Sequence, residues 1–177
     1  MDSRFSVWGG RGLLAFTVLL LAACAGYSGS NLQPGVATLA DVVASMGEPA
    51  MSWKDADGSE QLAYPRGPAG TQTFMAFVGP DGKLQRVDKV LNTAHFARVQ
   101  GGMTKDQVLR ILGPSGSQWT QFYARSNQLA WSWLFCNSWN QQEFFDVMFD
   151  ASTGIVHSTG QHPNLGGRDG SQPPCGQ

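Results

Sequence analysis

A short helix with complete start and stop signals is written twice into this chain. Residues 101–116 read GGMTKDQVLRILGPSG, with Thr104 and Gln107 at the spacing of a capping box. Met103 and Val108 occupy the two positions of a hydrophobic staple, and Val108, Leu109, Ile111 and Leu112 supply an apolar stripe. Gly113 is placed to take the left-handed conformation that ends a helix, and Pro114 blocks its continuation. Such a short helix is unstable alone in water, so it has to be pinned against a sheet.

Residues 38–49, TLADVVASMGEP, align with residues 104–115 without a gap. Thr38 falls on Thr104, Val42 on Val108, Val43 on Leu109, Met46 on Leu112 and Gly47 on Gly113. Farther on, QLAY at 61–64 echoes QLAW at 128–131. AFVGPDGKL at 76–84 echoes MFDASTGIV at 148–156, with Phe77 on Phe149 and Gly82 on Gly154. Three blocks in one order, at offsets of 66, 67 and 72 residues, point to duplication. Two copies are too few for a solenoid, which leaves a pseudo-symmetric pair.

Between the blocks the chain reads as strands and tight turns. In the first unit MSW and EQLAY flank the turn KDADGS, and TQTFMAFV is joined to LQRVDKV by GPDGK. In the second the expected strands are SQWTQFYA, QLAWSWLF, EFFDVMFD and GIVHS. NTAHFARV, ahead of the second capped helix, reads as one more short helix capped by Thr93 or Asn92. Helix first and antiparallel meander after, twice over, predicts an α+β fold. The units are expected at residues 34–91 and 92–160, followed by a disordered Gly/Pro-rich tail at 161–177.

The N-terminus is read as a processing signal. Arg4 and Arg11 precede the apolar run LLAFTVLLLAA, which suits the h-region of a secretory signal better than a membrane span. The run ends in Leu21-Ala22-Ala23-Cys24, which resembles a bacterial lipobox. That resemblance implies cleavage between Ala23 and Cys24, acylation of Cys24 and anchoring in a lipid bilayer. An ordinary signal peptide or a signal anchor is the alternative. Ala25 stands where an inner-membrane retention signal carries Asp, which points to the outer membrane, facing the periplasm. Residues 24–33 are then expected to be a short flexible tether.

Removing 23 of the 177 residues leaves 154, and the 12 basic and 13 acidic side chains become 10 and 12. A near-neutral chain with no basic block gives no electrostatic reason to expect nucleic-acid binding. With Cys24 assigned to lipid, Cys136 and Cys175 remain as an even pair in an oxidising compartment, either bridged or free.

No catalytic constellation emerges. His157 and His162 are five residues apart, with no Cys or carboxylate completing a metal set, and His95 is expected on the solvent face of its helix. GPSGS is not a nucleophile elbow, and DADGSE lacks the later ligands of a calcium loop. The chain is expected to be no enzyme and to use no cofactor or metal.

Aromatic side chains are the more informative group. Leu129, Trp131, Trp133 and Phe135 alternate onto one strand face, and Ala130, Ser132, Leu134 and Cys136 onto the other. Trp131 and Trp133 are assigned to the core, and Trp119, Tyr123 and Trp139 to exposed anchors for a binding partner.

TAHFARVQGGMTKDQVLRILGPSG resembles the start of the BamE-like (SmpA/OmlA) lipoprotein domain and of its structural relatives, the β-lactamase inhibitory proteins. Those families share a short helix with a central aromatic, a Gly-Met-Thr turn, a capped helix ending near Leu-Gly-Pro, and a β-meander. NLQPGVATLADVVASMGEP fits the same pattern more loosely. The resemblance implies a tandem pair of such units and a lipid-anchored periplasmic module that binds an envelope protein. A role accessory to outer-membrane protein assembly or envelope integrity follows from the first family. An inhibitor or sequestering protein for a β-lactamase-like periplasmic hydrolase is the alternative from the second. A wide aromatic-lined saddle formed by both units would favour inhibition or protein capture, and a flat polar sheet scaffolding.

Overall fold

The computed structural model describes residues 28–67, 70–167 and 169–175. The signal segment, Ala23 and Cys24 lie outside the described residues. Each unit is a capped helix followed by a four-stranded antiparallel meander. The first runs α1 (Leu39–Met46), β1 (Met51–Lys54), β2 (Glu60–Arg66), β3 (Gln72–Val78) and β4 (Leu84–Lys89). The second runs α2 (Thr93–Phe96), α3 (Lys105–Leu112), β5 (Thr120–Tyr123), β6 (Gln128–Cys136), β7 (Gln142–Asp150) and β8 (Val156–Pro163). The strand orders are β1-β2-β3-β4 and β5-β6-β7-β8, so each sheet is a simple meander.

The two helices are built alike. In α3 the Gln107 N–H donates to Thr104 Oγ1 at 3.2 Å, and the Thr104 N–H donates to Gln107 Oε1 at 2.8 Å. In α1 the Asp41 N–H donates to Thr38 Oγ1 at 3.2 Å, and the Thr38 N–H to Asp41 Oδ2 at 2.8 Å. Each capping threonine also bridges to its unit's last hairpin, Thr38 to Lys83 and Thr104 to Ile155. Asn92 is the cap of α2. Gly47 and Gly113 close the two helices with positive φ but extended ψ, at 82°/−171° and 74°/−173°. They therefore do not adopt the left-handed helical conformation expected of Gly113, but an extended positive-φ state that only glycine takes freely.

The layers stack in the order α1, first sheet, α2 with α3, second sheet. Leu62, Tyr64, Phe74, Ala76 and Val78 turn one face of the first sheet onto Val42 and Met46 of α1. Ala63 and Met75, on the opposite face, join Val108, Ile111 and Leu112 of α3. The same cluster takes in Phe96 of α2 and Trp133, Phe135, Phe145, Val147 and Phe149 from the second sheet. Polar contacts seal the junction: Gln61 Nε2 donates to the Arg110 carbonyl at 2.6 Å, and Trp53 Nε1 to Asp106 Oδ1 at 2.9 Å. Arg110 pairs with Asp55 at 2.9 Å. α3 separates the sheets only in part: β3 comes directly against β6, and Pro65 and Gly70 of the first unit line a groove with Pro114, Trp119, Trp133 and Leu134 of the second.

The repeat holds, with its register corrected. Val78 pairs with Leu84 beside a bulge, as Phe149 pairs with Val156 beside another. This places Val78, not Phe77, on Phe149. Leu62 and Tyr64 likewise match Trp131 and Trp133, by their cross-strand partners Ala76 and Phe74 against Val147 and Phe145. The last hairpin of the second unit holds one more residue between Phe149 and Val156 than that of the first holds between Val78 and Leu84. β6 and β7 have 9 residues each against 7 each in β2 and β3. A one-residue slip turns a core side chain to the opposite face.

Three expected boundaries also change. Ser117–Trp119 forms a 3-10 turn rather than the start of a strand, and β5 begins at Thr120. The last strand runs to Pro163, past the expected boundary at 160. The described part of the tail is ordered, because Cys175 is bonded to Cys136 and is 6% exposed. Ahead of that bond the Gln142 N–H donates to the Pro173 carbonyl at 3.0 Å, and the Cys175 N–H to the Asn140 carbonyl at 2.9 Å. A covalent closure thus orders a segment too poor in apolar residues to order itself. The described part of the expected tether is also folded. Gly29 is buried, Leu32 packs against the first core, and Ser45 Oγ donates to Asn31 Oδ1 at 3.1 Å.

Candidate functional site

The first sheet is covered on both faces, by α1 and by α3. The second sheet buries one face under α3; its other face carries no α-helix, although the 3-10 turn folds over part of it and Ala130, Leu134 and Phe144 are buried there. Strand alternation decides which side chains the open face carries. Leu129, Trp131, Trp133 and Phe135 pack into or against the shared core, as expected for the two tryptophans. The open face holds Ala130, Ser132 and Leu134 of β6 beside Phe144, Asp146 and Met148 of β7. Gln121 and Tyr123 of β5 stand at one edge, opposite Ala130 and Gln128, and His162 of β8 at the other, opposite Phe144.

A groove of about 380 Å³ crosses this face, within the range of about 300–1,000 Å³ usual for ligand pockets. Its floor includes Ala130, Ser132, Phe144 and Met148, and its rim Trp119, Gln121, Tyr123 and His162. The 3-10 turn folds Trp119 over the sheet so that its ring meets the Phe144 ring edge-on at 4.9 Å. His162 lies 5.2 Å from Phe144 on the other side. His162 Nε2 is 3.1 Å from Asp146 Oδ2, and its Nδ1 is 3.1 Å from the Pro163 carbonyl. Both ring nitrogens thus face oxygens. Two polar atoms of groove residues are buried without a hydrogen-bond partner, Trp119 Nε1 and Asp146 Oδ1. An unpaired buried polar atom costs about 1–3 kcal/mol.

Ser132, Asp146 and His162 place the residue types of a hydrolytic triad in one groove. The geometry does not supply the chemistry. Such a triad needs one imidazole nitrogen facing the hydroxyl and the other facing the carboxylate. Here the carboxylate holds one nitrogen and a backbone carbonyl the other.

The three expected anchors do not form one cluster. Trp119 is half-buried against Phe144 rather than free, because the turn ahead of β5 tucks it in. Tyr123 is 42% exposed on the groove rim. Trp139, 82% exposed, stands apart at the tip of the β6–β7 hairpin. Asn137 Oδ1 braces that tip, accepting from the Trp139 N–H at 2.9 Å and the Gln141 N–H at 3.0 Å. Phe122, 57% exposed on β5, pairs with Leu129 and so lies on the face opposite the groove. Sequence reading missed the Asp146–His162 pair. The pair joins neighbouring strands across a register that sequence spacing does not display.

His95 is half-buried rather than on a free solvent face, and its Nδ1 lies 3.0 Å from Asn92 Oδ1. Burial, then the Arg98 charge, hold its pKa below the ordinary histidine value. Among the described residues no helix is long and apolar enough to cross a membrane, and no His, Cys, Asp and Glu side chains group as a metal site.

No family model and no curated protein matches the chain. An extracellular protein containing an SCP domain, from Bacillus anthracis str. Ames, aligns at 15% identity with a TM-score of 0.27. The alignment covers 91% of this chain and 49% of that one, so this chain spans about half its length.

Proposed function

We propose that this chain is a lipid-anchored, non-catalytic binding module of the cell envelope, resembling the BamE-like lipoproteins and facing the periplasm from the outer membrane. Acylated Cys24 tethers it to the bilayer, and the open face of the second sheet meets a protein partner. One observation carries the docking half of this reading. Of the four sheet faces, the outer face of the second is the one that no α-helix covers, and exposed Tyr123 borders it. Large exposed aromatics supply interface anchors, because they bury much area at little cost in side-chain entropy. The anchoring half rests on the lipobox-like run ending at Cys24. Stable anchoring takes more than one acyl chain, since a single chain binds marginally.

The full chain, expressed with a palmitate analogue, tests both halves. Wild type should take up label and sediment with membranes, and Cys24→Ser should do neither. Proteins that co-purify with wild type should be lost from a Tyr123→Ala variant that melts normally. Label-free wild type contradicts the anchor, and an unchanged set of proteins contradicts the docking face.

The second reading, an inhibitor of a periplasmic hydrolase, draws on the hairpin tip. Trp139 projects from a turn stiffened by Asn137, and its strand is bonded to the tail through Cys136 and Cys175. A rigid exposed aromatic of this kind suits insertion into an enzyme cleft. Inhibition of a purified β-lactamase by wild type and not by Trp139→Ala would favour it.

A further inference from the structure

We infer that the groove beside the β6–β7 hairpin tip is a binding site for a cationic side chain, arginine or lysine, presented by a partner protein. This site is separate from the outer face of the second sheet, and it holds whether or not Trp139 enters an enzyme cleft. The groove, of about 490 Å³, lies between the hairpin tip and the start of α2, and Trp139, Glu143, Thr93 and Gln161 are among its lining. Asn137 positions its two recognition groups. The Asn137 Oδ1 accepts from the Trp139 N–H at 2.9 Å, and its Nδ2 donates to Glu143 Oε1 at 2.7 Å. Glu143 Oε2 is left without a hydrogen-bond partner. Unlike Trp119 Nε1 and Asp146 Oδ1, it is not sealed from solvent. Among the described residues, no Lys, Arg or His lines the groove and none forms an ion pair with Glu143.

The two recognition groups select the same partner. An accessible carboxylate with no counter-charge attracts a cation and repels an anion. The face of a tryptophan ring attracts a cation through its quadrupole, more strongly than the other aromatics do. Trp139 is 82% exposed and meets no other ring or cation among the described residues, so its face is available. The Thr93 hydroxyl and the Gln161 amide add uncharged acceptors for N–H donors. An apolar ligand would strip water from the carboxylate and return no hydrogen bond. The indole also decides the source of the cation. Burying a tryptophan covers about 150–250 Å², which a protein surface around a basic side chain does and a small free amine does not.

Full-length protein in detergent, titrated into dye-labelled short peptides and followed by fluorescence anisotropy, tests the assignment. The peptides are Gly/Ser chains that carry arginines, lysines, glutamates or leucines. Saturable binding of at least one cationic peptide is expected, with the glutamate and leucine peptides binding less tightly. Trp139→Ala and Glu143→Gln should each weaken that binding about tenfold. Glutamine at 143 can still accept from Asn137, and thermal melts confirm that both variants are folded. Glu48→Gln removes the same charge from an exposed position in the first unit and should leave binding unchanged. Absence of saturable binding to both cationic peptides, tighter binding of the glutamate or leucine peptide, or unchanged binding in either folded variant overturns the proposal. An equal loss in Glu48→Gln also overturns it, because attraction by net charge would then suffice. Putrescine that displaces the labelled peptide as effectively as unlabelled peptide does overturns the assignment to a protein side chain. None of these results bears on Cys24, on Tyr123 or on hydrolase inhibition, whose tests use no peptide.

Discussion

Trp133 Nε1 donates to the carbonyl oxygen of Gly113 at 3.1 Å, tying the end of α3 to the middle of β6. The indole is 2% exposed, so this bond lies inside the shared core. Trp133→Phe keeps most of the packing and leaves the carbonyl unpaired. The loss should be about 1–3 kcal/mol, a fall in melting temperature of about 2–4 °C per kcal/mol for a chain of this size. A thermal melt against wild type checks it.

The two helix-ending glycines separate backbone strain from crowding. A Cβ on Gly47 would meet nothing within 4 Å, whereas one on Gly113 would sit 2.8 Å from Thr73 Cγ2 in the first sheet. Both positions have positive φ. Gly47→Ala should therefore cost the conformational penalty alone, and Gly113→Ala that penalty plus a clash at the junction between units. Chemical denaturation of the two variants should rank Gly113→Ala as clearly the less stable. Equal losses would mean that α3 is not clamped against the first sheet.

Much of this architecture was legible because its signals are local. Capping boxes, helix-ending glycines and alternating strands are written within a few residues, and they located both capped helices and both meanders. Alternation also assigned Trp131 and Trp133 to the core. What escaped depends on distant pairs. The one extra residue in the last hairpin that sets Val78 on Phe149 surfaces only through cross-strand register. The tail looked unable to fold because composition does not count a covalent bond to Cys136. The cover that α3 places over Ala63 and Met75 is a choice between two apolar faces that the sequence presents alike. Asp146 and His162 meet because β7 and β8 are neighbours, which their spacing does not announce.

Stability should fall on mild acidification, in part through His95. Burial, then Arg98, lower its pKa in the folded chain. As pH drops below the ordinary histidine range, the unfolded chain takes up a proton that the folded chain resists. Stability present above that range is then lost as pH falls toward the lowered folded value. His95→Gln should flatten this slope. The helix-cap carboxylate of Asp41 acts in the same direction at lower pH, because the Thr38 backbone N–H, then its hydroxyl, hold its pKa down. Its contribution is lost as pH falls through that lowered value. Denaturant midpoints across a pH series check both.

Reduction should loosen the tail before the sheets. The Cys136–Cys175 bond joins residues 39 apart, and a bridge of that kind typically stabilises by about 2–4 kcal/mol. Cys175→Ser should lower the melting temperature and raise amide exchange across residues 164–174. The strands of the first sheet should keep their protection. Uniform loss of protection in both units would contradict this.

The central claim is that the open face of the second sheet is where this protein meets its partner. A photo-crosslinking residue at Tyr123, on the rim of that face, tests it in intact envelopes. The control position is Ala44, exposed on α1 at the opposite end of the layer stack. The account predicts a discrete protein adduct from position 123 and none from position 44. An adduct from position 44 with none from position 123 would contradict it.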